Sequence, residues 1–260
     1  MNNLLNAILV EAKKARRSKV SLVTLLAFLL IPLAMTLFMV ILKNPEKAKT
    51  LGIVSTKAQL LTAGTASWES FLNLLSQSAV GGMVISSFIA AWVFGREYIN
   101  KTLKDLLALP TSRTTIVVAK FAIITFWSFT FSLLAPLAGI VLGLIIKLPG
   151  FSYHLLLGSI SRFVVVTLMA ILLSWAVALI ANIGRSYFPA LGFVVFMVFL
   201  AQIVQLLGWG EYFPWAIPAL YSNVAAPTNL GAVSYVIVVL TGLLGVWGTV
   251  LWWRYADHAY

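Results

Sequence analysis

A chain of 260 residues that is 61% hydrophobic and only 10% charged, with mean hydropathy +1.00, departs from soluble domains, which carry about 25% charged residues. It contains no cysteine, which excludes disulfides, thiolate metal sites and cysteine nucleophiles. The net charge of +11, from 18 Lys and Arg against 7 Asp and Glu, would suggest nucleic acid in a soluble protein; in a membrane chain it is a matter of topology, and no nucleic-acid partner is expected.

Residues 1–19 predict an amphipathic helix lying in the headgroup region. Leu4, Leu5, Ile8, Leu9 and Ala12 recur at helical spacing, and Asn2, Asn6, Lys13, Arg16 and Arg17 occupy much of the rest. Residues 20–260 form the membrane domain. Six uncharged stretches, Val20–Leu42, Phe71–Phe94, Phe121–Ile146, Phe163–Gly184, Ser186–Gly210 and Ala232–Trp253, each reach the roughly 20 apolar residues that a helix needs to cross hydrocarbon. The first is too long for a signal-peptide core and has no small-residue cleavage site after it, so it reads as a retained span. Pro32 is expected to kink it. Trp68 opens the second span as an interface aromatic.

The segment Gly95–Lys120 is the most informative polar piece. Ile99, Leu103, Leu106 and Leu107 recur at three- and four-residue spacing before Pro110, which predicts a loop helix of about three turns between spans 2 and 3. Thr111 or Ser112 is placed to cap span 3. Pro149-Gly150 turns spans 3 and 4, and Gly184-Arg185-Ser186 turns spans 4 and 5. Gly208–Gly231 holds Pro214, Pro218 and Pro227 with Trp209, Trp215 and Tyr221 and almost no charge. It is too broken for a span and too apolar for a loop, so it predicts a re-entrant hairpin on the outer face. The fold class is therefore all-α and polytopic.

Lys and Arg distribute unevenly between the two sides. One side holds Lys13, Lys14, Arg16, Arg17, Lys19, Arg96, Lys101, Lys104, Arg113, Lys120, Arg185 and Arg254; the other holds Lys43, Lys47, Lys49, Lys57, Lys147 and Arg162. The bias places both termini in the cytoplasm.

Catalytic chemistry is sparse. His154 and His258 have no partner at ligand spacing, so no metal site is expected. The acids Glu11, Glu46, Glu69, Glu97, Asp105, Glu211 and Asp257 read as scattered and mostly interfacial, which weakens a proton-driven carrier. No phosphate-binding loop occurs, so nucleotide hydrolysis would belong to another chain. Asn73 and Gln77 share a face of span 2, and Gln202 and Gln205 a face of span 5. Such amides act either as interhelical glue or as the lining of a substrate path. Gly139 and Gly143, and Gly242, Gly245 and Gly248, allow close helix approach.

Together the basic N-terminal helix, the six spans, the outer hairpin and the pattern Glu97…Lys101-Thr102…Leu109-Pro110-x-Ser112-Arg113…Lys120 resemble the permease subunits of type-2 ABC exporters, especially the small permeases of bacitracin-resistance and lantibiotic-immunity systems. The family often has Gly-Thr where this chain has Lys101-Thr102. The resemblance implies a multi-pass subunit of the bacterial cytoplasmic membrane, itself no enzyme and without a cofactor. It would pair with an identical or different permease and sit on separate ATPase subunits that bind ATP and Mg. It implies that the N-terminal helix is the connecting helix and Ile99–Leu109 the coupling helix. Arg96, Glu97, Ile99, Lys101, Leu103, Leu106, Leu107, Pro110 and Arg113 would then form the ATPase-coupling element. Its apolar face, Leu103 and Leu107, would enter a cleft on the ATPase, with Arg96, Glu97 and Arg113 at the rim. The substrate would be an amphipathic peptide antibiotic, drug or lipid-linked molecule moved outward. An integral membrane enzyme acting on lipid and a non-transporting assembly factor are the alternatives.

Overall fold

Hydrocarbon leaves a backbone N–H or C=O no partner but its own chain, so long apolar runs become helices. The computed structural model describes residues 2–44, 66–108, 110–222 and 230–256, and is all-helical over them. We number its helices α1 (Asn2–Arg17), α2 (Lys19–Lys43), α3 (Trp68–Ile99), α4 (Leu103–Leu107), α5 (Arg113–Ile145), α6 (Tyr153–Ile183), α7 (Tyr187–Leu206), α8 (Ile217–Ser222) and α9 (Ala232–Tyr255). Helices α2, α3, α5, α6, α7 and α9 are long and apolar enough to cross a membrane. Lys47, Lys49, Lys57, Pro227 and His258 lie outside the described residues, as do Leu109 and the Leu107 side chain.

Three spans extend by several residues beyond their apolar runs. α3 continues through Gly95–Ile99, α5 begins at Arg113, and α6 begins at Tyr153. Hydropathy marks where lipid lies, not where a helix ends. The ends are set by caps. Serine begins four of the helices: Ser18, Ser67, Ser112 and Ser186 each accept a backbone N–H of the first turn, at 3.0, 3.2, 3.1 and 3.3 Å. Four helices end on a residue in the left-handed conformation: Lys101 (φ 57), Lys147 (φ 51), Arg185 (φ 50) and Gly208 (φ 80). After α3, Thr102 N bonds Glu97 O and Lys101 N bonds Tyr98 O, both at 3.1 Å. That pair is the Schellman arrangement, which usually places glycine where Lys101 stands.

The core is built around α3 and α6, the most buried spans, which pack against each other along much of their length. Small residues make close approaches possible. A Cβ on Gly245 would lie 2.5 Å from Ala176 Cα, and one on Gly242 2.8 Å from Leu172 O, so α9 meets α6 backbone to backbone. Gly139 and Gly143 instead make room for the side chains of Leu75 and Trp68 of α3. Trp68, the first residue of α3, is buried among Phe71, Phe151 and Met39. At one end of the bundle α1 packs chiefly on the first turns of α5.

Candidate functional site

The end of the bundle that carries α1 holds a knot of five charges, four of them buried. Glu11 and Lys14 lie one turn apart on α1, Arg96 and Glu97 come from the last turns of α3, and Lys120 from the second and third turns of α5. Lys120 is 0% exposed, Glu97 2%, Glu11 3% and Arg96 9%. Charges so deep persist only when paired, and here every one is. Lys120 Nζ donates to Glu97 Oε1 at 2.8 Å, Glu11 Oε2 at 3.3 Å and Val93 O at 3.3 Å. Arg96 Nη2 donates to Glu11 Oε2 at 2.8 Å, and its guanidinium lies 4.4 Å from the Trp92 ring centroid. Lys14 Nζ reaches Glu11 at 3.0 Å and Glu97 at 3.3 Å. The Thr102 hydroxyl donates to the other Glu97 oxygen. Burial alone would raise the Glu11 carboxyl; Lys120, Lys14 and Arg96 outweigh it and hold the group below its ordinary 4.5. The two acids thus act as shared anchors for three cations, and the knot ties α1 to the ends of two spans.

A second polar network sits on the same end. Asn182 Oδ1 accepts from Trp253 Nε1 at 2.7 Å and Tyr98 OH at 3.1 Å, and Trp252 Nε1 donates to Tyr98 OH at 3.3 Å. Arg113 Nη1 donates to the terminal carbonyls of α9, Trp253 O at 3.0 Å and Arg254 O at 3.3 Å. These bonds join α3, α5, α6 and α9.

The predicted loop element changes in this light. The helix between spans 2 and 3 is the five residues of α4, not three turns, because Lys101 leaves the helical conformation and Ile99 belongs to α3. Arg96 and Glu97 are internal staples rather than rim charges. Leu103 is buried with Ile116, Phe94 and Val117 instead of projecting from the loop, and Leu106 packs beside it. Lys101, Pro110 and Arg113 are exposed. Between α1, α4 and the start of α5 runs a groove of about 170 Å³ whose lining includes Asn6, Val10, Leu106, Thr111 and Ile116.

The membrane amides separate. Gln77 and Gln202 are exposed on the surfaces of α3 and α7, Asn73 is half-buried, and Gln205 is half-buried with its Nε2 enclosed and unpartnered among the described residues. At the opposite end, Trp209 is exposed, whereas Trp215 is buried at ring distances of 5.5 Å from Phe193 and 6.1 Å from Phe213. Trp215, Ala216 and Ile217 cluster with Met83, Met169, Leu173 and Ala201. Met83 lies roughly 22 Å along α3 from Trp68 at the helical rise, so the cluster that holds Trp215 sits beside the middle of α3. Tyr221 stacks edge-on with Tyr235 at 6.2 Å.

Sequence reasoning missed the roles of Glu11, Lys14, Asn182 and Trp253. A usable signal existed for Glu11, and for the pairing of Lys120. Glu11 is the sole acid of a basic helix, flanked by Ala12 and Ala15, and Lys120 sits between Ala119 and Phe121 inside an apolar run; each needs a counterion.

A family model described as ABC-2 family transporter protein matches residues 7–201, a stretch that includes the whole charge knot. The chain belongs to the ABC-2 transporter family. It is 25% identical over 177 residues to the bacitracin transport permease protein BCRB of Bacillus licheniformis, covering 68% of this chain and 85% of that protein. This ABC-2 protein is accordingly a multi-pass membrane protein and a transporter permease subunit.

Proposed function

We propose that this permease works in an ATP-driven exporter of the bacterial cytoplasmic membrane, with both termini inside and ATP and Mg bound by separate ATPase subunits. The observation that carries the reading is the charge knot, which fastens α1 to the ends of α3 and α5 and so makes one rigid body of the elements a cytoplasmic motor would push. The ATPase docks across the groove between α1 and α4, with the exposed Lys101, Pro110 and Arg113 near its edge. Two permeases, identical or different, pair, and Gln77 of α3 and Gln202 of α7 line the substrate path. Both are exposed amides on membrane helices, where facing lipid would be costly. The hairpin carrying Trp209, Trp215 and Tyr221 forms the outer gate. The substrate is an amphipathic molecule, with a peptide antibiotic the first to try because the relative's name is that of a bacitracin permease.

The test is reconstitution with a candidate ABC ATPase, the first choice being one encoded next to the gene. The chain alone should hydrolyse no ATP, and the complex should hydrolyse it with stimulation by the peptide. Hydrolysis by the isolated chain, or failure of any ATPase to bind, would overturn this function.

A further inference from the structure

α1 has a second face that the described residues leave exposed. The first face, with Glu11 and Ala15, turns into the bundle. On nearly the opposite side Leu5, Leu9, Lys13 and Arg16 follow one another at four, four and three residues, one stripe of a helix. Leu5 and Leu9 are 56% and 66% exposed. Lys13, Arg16, Arg17 and Lys19 are exposed too, and none makes an ion pair or side-chain hydrogen bond among the described residues. Five cations of this segment thus divide by role: Lys14 turns inward to the acids, and the other four face out.

The level of this stripe is set by what holds α1. The helix packs on the first turns of α5 at the edge of the bundle, and Glu11 meets Lys120, one residue before the uncharged run that opens with Phe121. A single residue, Ser18, separates α1 from α2. The outward stripe therefore lies where the hydrocarbon begins. Exposed leucines at that depth suit the acyl boundary, and unpaired cations beside them suit phosphate headgroups.

We propose that the outward stripe of α1, together with Arg17 and Lys19 at its junction with α2, binds anionic phospholipid, with Leu5 and Leu9 set into the acyl boundary and Lys13, Arg16, Arg17 and Lys19 holding headgroup phosphates. The knot and the stripe are then two halves of one device: the buried acids decide which face of α1 turns outward, and the lipid holds that face in the membrane plane. The inference rests on the proposed function only for assigning α1 to the cytoplasmic leaflet.

The experiment uses the full chain in vesicles of equimolar phosphatidylcholine and phosphatidylglycerol, with no ATPase present, so it stands or falls apart from the transport reading. After detergent extraction the retained lipids are quantified by mass spectrometry. The wild type should retain phosphatidylglycerol above its bulk share, and added salt should reduce the excess. K13Q/R16Q/R17Q/K19Q should return retention to the bulk ratio, since each cation near an anionic surface contributes about fivefold in affinity. The charge-conserving K13R/R16K/R17K/K19R should keep the excess. Wild-type retention at the bulk ratio, or an excess untouched by both salt and neutralisation, overturns the proposal. So does a neutralised variant that keeps its excess of phosphatidylglycerol.

Discussion

Replacing Glu11 with Gln should release α1 without unfolding the bundle. The carboxylate accepts from Arg96 at 2.8 Å, Lys120 at 3.3 Å and Lys14 at 3.0 Å. The Lys14 bond is partly exposed, at about 0–1 kcal/mol, so the cost comes from Arg96 and Lys120, which are left in the interior with Glu97 alone. Removing one partner of a buried pair costs about 3–5 kcal/mol, more than a hundredfold in the docked population. Apolar burial cannot hold α1 in its place, because among its described apolar side chains only Ala15 is buried, with Ile8 and Ala12 partly so. Amide exchange across residues 8–15 should accelerate by that factor while α3 and α6 stay protected. Charge counting gives a sharper test. The knot has three cations and two acids, so Glu11→Gln leaves three against one, whereas Lys120→Met leaves two against two. Although Lys120 is the deeper residue, its replacement should loosen α1 less than Glu11→Gln does. The reverse order, or unchanged α1 exchange in Glu11→Gln, would refute the knot as the anchor of α1.

Three further outcomes follow from named contacts. Because Glu11 is held below its ordinary 4.5, its contribution to docking is complete above that pH and is lost as pH falls through the lowered value; α1 protection should be flat near neutrality and drop in acid, as read by protease access to residues 8–15. Gly245→Ala drives a Cβ to within 2.5 Å of Ala176 Cα and should cost about 1–3 kcal/mol in denaturant unfolding, whereas Gly192→Ala, with nothing within 4 Å, should be neutral or gain up to about 1 kcal/mol. Lys101→Gly relieves a left-handed residue at φ 57 and should be neutral or stabilising by about 1 kcal/mol; loss of stability would mean that the Lys101 side chain matters more than its backbone.

What the sequence disclosed follows from the range of the forces involved. The six spans were legible because lipid demands unbroken apolar runs, and the tight turns at Pro149-Gly150 and Gly184–Ser186 because they interrupt those runs. The close approaches of Gly139, Gly143, Gly242 and Gly245 were legible because a missing Cβ has few other uses in a membrane helix. Helix ends were not. Gly95–Ile99 is polar enough to read as loop, yet it stays helical because Glu97 and Arg96 find partners on α1 and α5. Lys101 illustrates the same limit: its type says little, and its left-handed conformation shows why the loop helix shrinks to α4. The charge knot needed the fold, since Glu11 meets Arg96 across 85 residues and Lys120 across 109.

The central claim is that a separate ATPase drives this subunit through its α1 end. The direct measurement is uptake of a labelled amphipathic peptide into inverted proteoliposomes holding the permease and its ATPase. Uptake should require ATP and both subunits, and it should fall at least tenfold in Glu11→Gln with the complex still assembled. Equal uptake without the ATPase, or full uptake by an assembled Glu11→Gln complex, would contradict the account.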